Sequence, residues 1–245
     1  MAGEVDHGLS IFVAEVIGTA ILVLLGDGVV ANVVLNKSKG QGSGWMVITT
    51  GWAFGVAVAV YAVGWISGAH INPAVTIAQA TIGNLAWGQV PVYLGGQVLG
   101  GFIGAVLVWL AYLPHWPVSD DPDAKLSVFS TTPAVRNLPA NFLTELIGSV
   151  MLMLGILVIT DGHNGLVGGQ AAFLVGVLVW AIGLSLGGPT GYAINPARDL
   201  GPRVAHAILP IPGKRDSDWG YAWVPVIAPI VGAVLGALLY AWLWH

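Results

Sequence analysis

The chain has 245 residues, 56% of them hydrophobic and only 8% charged, with a mean hydropathy of +0.81, which lies outside the soluble range and describes an integral membrane protein. A net charge of −4 and a pI near 5.8 argue against nucleic acid as a partner, and the absence of cysteine excludes thiol chemistry, disulfides and thiolate metal sites. At about 20 residues per crossing of a hydrocarbon core about 30 Å thick, this length allows about six spans with short connections.

The amino-terminal MAGEVDHGLS is acidic where a cleaved leader would be basic. The first apolar stretch, 9–35, carries Glu15, and a lone carboxylate is costly inside a membrane. Two roles compete for it: a proton relay, or an acceptor for non-helical backbone nearby. The second stretch, 45–66, contains Gly51 and Gly55 and runs into SGAHINPA, 67–74, after which AVTIAQATIG is too short to cross. The third, 90–113, spaces Gly96, Gly100 and Gly104 so that one helix face is smooth and a neighbouring backbone can approach. Segment 115–139, HWPVSDDPDAKLSVFSTTPAVRNLP, reads as an extended external linker. The fourth stretch, 140–160, carries Glu145, and the fifth occupies 168–188. Its GLSLG, 183–187, fits a G-x-S-x-G nucleophile, but that motif needs a preceding strand and a histidine partner, so an enzyme is not expected. TGYAINPA, 190–197, is followed by the short ARDLGPRVAHAIL, and the sixth stretch, 221–244, contains Gly232 and Gly236. His7, His115, His163 and His206 show no metal-ligand spacing, so no metal or cofactor is expected.

The two halves repeat. FVAEVIGTA from Phe12 matches FLTELIGSV from Phe142, SGAHINPA matches TGYAINPA without a gap, and VLGGFIGAVL from Val98 matches IVGAVLGALL from Ile230. Three spans per half oblige the second half to enter the membrane from the opposite side, giving an inverted repeat. The fold expected is therefore an all-α membrane protein of six transmembrane helices plus two half-helices, a single domain over 1–245 with repeats 9–113 and 140–244 and linker 114–139. Asparagine as N-cap and proline in the first turn start each half-helix, at Asn72, Pro73, Ala74 and at Asn195, Pro196, Ala197. The non-helical stretches before them cannot face lipid, so they line a wet cavity or are buried in protein. Two positive dipole ends then converge near the midplane with the two carboxamides, a place hostile to cations and protons and suited to a neutral hydroxyl. Carbonyls of Gly68, Ala69, His70 and Ile71, and of Gly191, Tyr192, Ala193 and Ile194, would supply acceptors along the route.

Paired NPA boxes inside such a repeat resemble the major intrinsic protein family, the aquaporins and glycerol facilitators, over about residues 9–243. GYAINPARD is similar to the second box of the glycerol facilitators, in which aspartate follows the arginine. The resemblance implies a homotetramer with one channel per subunit, in the cell membrane. It also implies a constriction of Trp52, Gly183, Tyr192 and Arg198, with Asp199 as a scaffold residue. Symmetry and the resemblance make Glu15 and Glu145 structural acceptors. Water-selective members are similar to Phe and His at the positions of Trp52 and Gly183; glycine leaves room for a second ring, so that Trp52 and Tyr192 make an apolar corner and Arg198 donates hydrogen bonds from the other side. Tyr192 departs from the usual phenylalanine and adds a polar tip. The solutes implied are glycerol and water, with dihydroxyacetone, hydrogen peroxide, urea and neutral lactic acid as further candidates; a water-selective pore is the alternative and an ion-coupled transporter a third reading.

Charge and family disagree on orientation. Lys37, Lys39, Lys125, Arg136, Lys214 and Arg215 all fall in the first, third and fifth connections, which by the positive-inside rule would place both termini outside. The family implies cytoplasmic termini, and a repeat with matched boxes constrains the fold more than those charges do.

Overall fold

The computed structural model describes His7–Trp244, with side chains from Ser10 onward. The acidic amino-terminal stretch, the side chain of His7 and the terminal His245 lie outside the described residues. Among the described residues there is no strand. Five helices are long and apolar enough to span: α1 (His7–Val34), α2 (Trp45–Ser67), α4 (Val90–Ala111), α6 (Leu138–Thr160) and α9 (Val224–Trp244), with the shorter α3 (Pro73–Thr81) and α5 (Pro122–Phe129) lying between them. The sixth, α7 (Gln170–Leu186), has 17 residues, about 26 Å at 1.5 Å per residue. It is shorter than the expected 168–188 because Gly169, at φ 81°, closes one end and Gly187 the other. The half-helices are α3 (Pro73–Thr81) and α8 (Pro196–Ile208), with 9 and 13 residues, about 14 and 20 Å, so neither crosses.

The glycine strips set the packing. A Cβ on Gly100 would lie 2.4 Å from the Val16 carbonyl oxygen and one on Gly104 2.7 Å from that of Ala20, so α4 lies directly on α1. In the second half a Cβ on Gly232 or Gly236 would lie 2.3 and 2.7 Å from the carbonyl oxygens of Leu146 and Val150, so α9 lies on α6 in the same manner. The repeat read from sequence is thus a repeat of packing. Each half-helix is also received by the other half, since α8 packs on α4 and α3 on α9. A Cβ on Gly101 would stand 2.6 Å from the Ala197 carbonyl and one on Gly201 2.7 Å from the Phe102 nitrogen, so this crossing too requires bare backbone.

The segment between the halves is not extended. Leu113–His115 forms a 3-10 turn, and α5 (Pro122–Phe129) follows, started by Asp121, whose carboxylate accepts from the Asp123 nitrogen at 2.8 Å, and by Pro122 in the first turn. Trp116, Leu126, Val128 and Phe129 are fully buried, because α5 turns an apolar side onto α1 and α8. The segment is folded and docked on α1 and α8.

Candidate functional site

The meeting point of the half-helices is built by two asparagines, each doing two things. In extended conformation ahead of its helix, Asn72 accepts from the Ala74 nitrogen at 2.9 Å, and Asn195 accepts from those of Ala197 and Arg198 at 3.0 and 3.3 Å. Their amide nitrogens cross to the opposite repeat: Asn72 Nδ2 donates to the Ile194 carbonyl and Asn195 Nδ2 to the Ile71 carbonyl, both at 2.8 Å. Each carboxamide therefore keeps one N–H for another acceptor, and Ile71 and Ile194 spend acceptor capacity on the joint itself. Both asparagines line a cavity of about 300 Å³, together with Gly68, Ala69, His70 and Ile71 from one repeat and Tyr192, Ala193 and Ile194 from the other. Pro73, Ala74, Pro196 and Ala197 are buried behind them.

The strips before the asparagines are strained at matching positions. Gly68, Ala69 and Ile71 have φ of 79°, 49° and 42°; Gly191, Tyr192 and Ile194 have 81°, 38° and 43°. Glycine accepts this region, whereas a β-branched residue there is an outlier, and non-glycine residues cost about 1–3 kcal/mol each. Buried carboxylates hold the strips in place. Glu15 accepts from Ser67 Oγ at 2.6 Å, from the His70 and Ile71 nitrogens at 3.1 and 2.7 Å, and from Gln97 Nε2 at 2.7 Å. Glu145 accepts from Thr190 Oγ1 at 2.6 Å and from the Ala193 and Ile194 nitrogens at 2.9 and 2.8 Å. Hydrogen bonds of this quality are what make a buried charge tolerable. His70 lies in the cavity wall, its Nδ1 3.1 Å from Thr76 Oγ1 and its ring 4.6 Å from that of Tyr93.

A second cavity, about 260 Å³, opens on the side of α5 and is lined by Ser130, Thr131, Thr132, Gly188 and Gly191 among others. The two cavities have Trp52, Tyr192 and Arg198 in common, which makes these three the waist between them. Gly183 supports the waist from behind: a Cβ there would lie 2.9 Å from Tyr192 Cζ and 3.0 Å from Thr49 Cγ2, so the tyrosine ring occupies the space a side chain would need. Trp45 fixes that ring, donating from Nε1 to the Gly183 carbonyl at 2.9 Å and meeting Tyr192 edge-on at 5.8 Å.

Arg198 differs from the expected opposition of an aromatic corner and a guanidinium across the hole. Its Cζ lies 4.1 Å above the centroid of the Trp52 ring, so cation and indole share one wall, as the attraction between a guanidinium and an aromatic face favours. Among the described residues the Tyr192 hydroxyl and Arg198 Nη1 have no hydrogen-bond partner. Asp199 turns away from Arg198: it accepts from the Thr131 nitrogen and Oγ1 at 2.8 and 2.6 Å, and pairs with Arg203 at 2.8 Å. It thereby ties α8 to the segment after α5.

Two contributors escaped the sequence reading. Gln97 on α4 joins Glu15 to Thr76, donating to both at 2.7 and 2.9 Å, and nothing in its local sequence marks it. Asp27 on α1 is fully buried, with a carboxylate oxygen 3.7 Å from Arg198 Nη1. Its signal was visible, since an acid within an apolar run is a functional candidate by cost alone. Beside it, Gly26 makes room for the indole, because a Cβ would lie 2.2 Å from Trp52 Cζ3.

Residues 5–240 match the family described as Major intrinsic protein. The chain is 66% identical over 235 residues to a probable glycerol uptake facilitator protein of Thermotoga maritima, covering 96% of this chain and all of the relative. It is 58% identical over 219 residues to a glycerol uptake facilitator protein of Bacillus subtilis, covering 89% of this chain and 79% of that one. Among solved structures it resembles the aquaglyceroporin of Plasmodium falciparum, with a TM-score of 0.87, 31% identity and 97% of each chain covered.

Proposed function

The chain belongs to the major intrinsic protein family, and on that premise we propose that it is a passive channel for glycerol and other small uncharged solutes, passing water as well and excluding ions and protons. The observation that carries this reading is the waist: the Trp52 indole seated over Gly26 and the Tyr192 phenol ring over a bare Gly183, next to polar groups of Tyr192 and Arg198 that have no partner among the described residues. A polyol needs both kinds of wall, apolar surface for its carbon chain and hydrogen-bonding groups for its hydroxyls. At the midplane the spare N–H of Asn72 and of Asn195 would be offered to a passing oxygen, with carbonyls of Gly68, Ala69, His70, Gly191 and Ala193 as acceptors on either side. Two converging helix N-termini and Arg198 raise the potential along the path, which opposes cations.

Dihydroxyacetone, hydrogen peroxide, urea and neutral lactic acid belong to the same chemical class of small neutral hydrogen-bonding molecules. We read the chain as one channel domain assembling as a homotetramer, with its termini on the cytoplasmic face. A side chain in place of Gly183 would favour a water-selective pore; its absence is why that reading is second. Purified protein in liposomes facing an inward glycerol gradient is expected to swell faster than empty vesicles by light scattering. Swelling no faster than the empty vesicles would reject the glycerol reading, and flux that stops on dissipating ion gradients would reject a passive channel.

A further inference from the structure

Among the described residues, the four acidic side chains buried in the membrane part divide into two kinds. Glu15, Glu145 and Asp199 each accept three or four hydrogen bonds from backbone or side-chain donors, and each holds a loop or an adjoining helix turn. Asp27 is as deeply buried as they are, yet among the described residues neither of its oxygens has a hydrogen-bond partner. It holds no loop. Its one close charged neighbour is Arg198, with Nη1 at 3.7 Å, and the next charge bearing on it, Asp199, is already paired with Arg203.

Arg198 is the complement. Among the described residues its guanidinium donates no hydrogen bond to the protein, and its position is set by the Trp52 ring on one side and the Asp27 carboxylate on another. An arginine so loosely tied, at the waist between two cavities, would swing unless a counter-charge fixed it. Gly26, the residue before Asp27, accommodates the same Trp52 ring, so one turn of α1 carries both the seat for the indole and the counter-charge for the cation stacked on it.

Building on the channel reading above, we infer that Asp27 is a positioning and specificity-determining residue: it holds the Arg198 guanidinium on the Trp52 face and offsets its charge. A solute at the waist then meets fixed donors and not a bare mobile cation. The arrangement keeps the donors while weakening the attraction an uncompensated arginine would exert on small anions.

The test compares wild type, Asp27→Asn, Arg198→Ala and the double variant in liposomes, following glycerol swelling, iodide entry by dye quenching, and proton or sodium leak. Asp27→Asn, nearly the same in shape, is expected to lower glycerol flux roughly tenfold, as misplaced positioning groups do, and to admit iodide where wild type does not. Arg198→Ala leaves the carboxylate unpaired beside the path, so a cation leak is expected that the double variant abolishes. A loop-holding role for Asp27 would produce neither the iodide entry nor the cancellation. Wild-type glycerol flux with no iodide entry in Asp27→Asn overturns the inference, as does a cation leak equal in Arg198→Ala and the double variant. Should Asp27→Asn fail to assemble, the double variant decides: its recovery as folded protein supports the pair, and its failure overturns it. Absence of glycerol flux in wild type would instead sink the channel reading, leaving the iodide and cation comparisons intact.

Discussion

On the channel reading proposed above, Gly183 is where the size of one side chain would decide what the pore admits. Its missing Cβ is the volume into which Tyr192 leans, so a larger residue must displace that ring or close the hole. Gly183→His is expected to lower glycerol permeability by at least about tenfold while water permeability is retained, read from parallel swelling assays with glycerol and with an impermeant osmolyte. The glutamates act at one remove. Glu145→Gln would turn an acceptor of three hydrogen bonds into a group whose amide faces other donors, leaving a buried N–H unsatisfied at about 1–3 kcal/mol. A lower unfolding temperature of the detergent-solubilised protein is expected, with Thr190→Ala producing a smaller drop because it removes one bond only. Both glutamates, both boxes and Arg198 were legible because a polar residue in an oily run announces itself by its cost. The stacking of Arg198 on Trp52 was not, since spacing from a motif places a residue around a hole without saying which neighbours it touches.

At the level of helices, the glycine strips were readable as a spacing and their partners were not. The structure pairs α4 with α1 and α9 with α6 through contacts that leave no room for a methyl group. Gly100→Ala and Gly232→Ala are each expected to destabilise by about 1–3 kcal/mol through forced backbone separation. Gly88→Ala, where a Cβ would meet nothing within 4 Å, is expected to stay within about 0.5 kcal/mol; thermal melts of the three proteins in one detergent check the ordering. Helix α5 was missed because eight residues between prolines and acids carry too few periods for a pattern to show. Its start was nonetheless written in the chain, as Asp121 followed by Pro122 is an N-cap with proline in the first turn. The rest of the helix is supported by docking on α1 and α8, a tertiary cause that local sequence cannot display.

For the molecule as a whole, four of the six cations behind the charge asymmetry have structural roles of their own. Lys125 donates to the Pro212 carbonyl at 2.5 Å, Lys214 to those of His206, Ala207 and Leu209, Arg136 pairs with Asp218, and Arg215 pairs with Asp123. Burial holds the Lys214 ammonium below the usual lysine range, as fits a group set among carbonyls. These contacts join the segment around α5 to the connection that follows α8. A protease-cleavable tag on the carboxyl terminus is expected to be protected in sealed right-side-out cells and cut in inverted vesicles. The carboxamide of Asn72 is satisfied by the carbonyl of Ile194, 122 positions later in the chain, which a ribosome working at about 5–20 residues per second delivers roughly 6–24 s afterwards. Through that interval the leading half of the protein sits in the bilayer with an unanswered polar tip, and a nascent chain stalled before Ile194 is expected to hold its first stub loosely, exchanging the Asn72 amide protons freely until translation resumes.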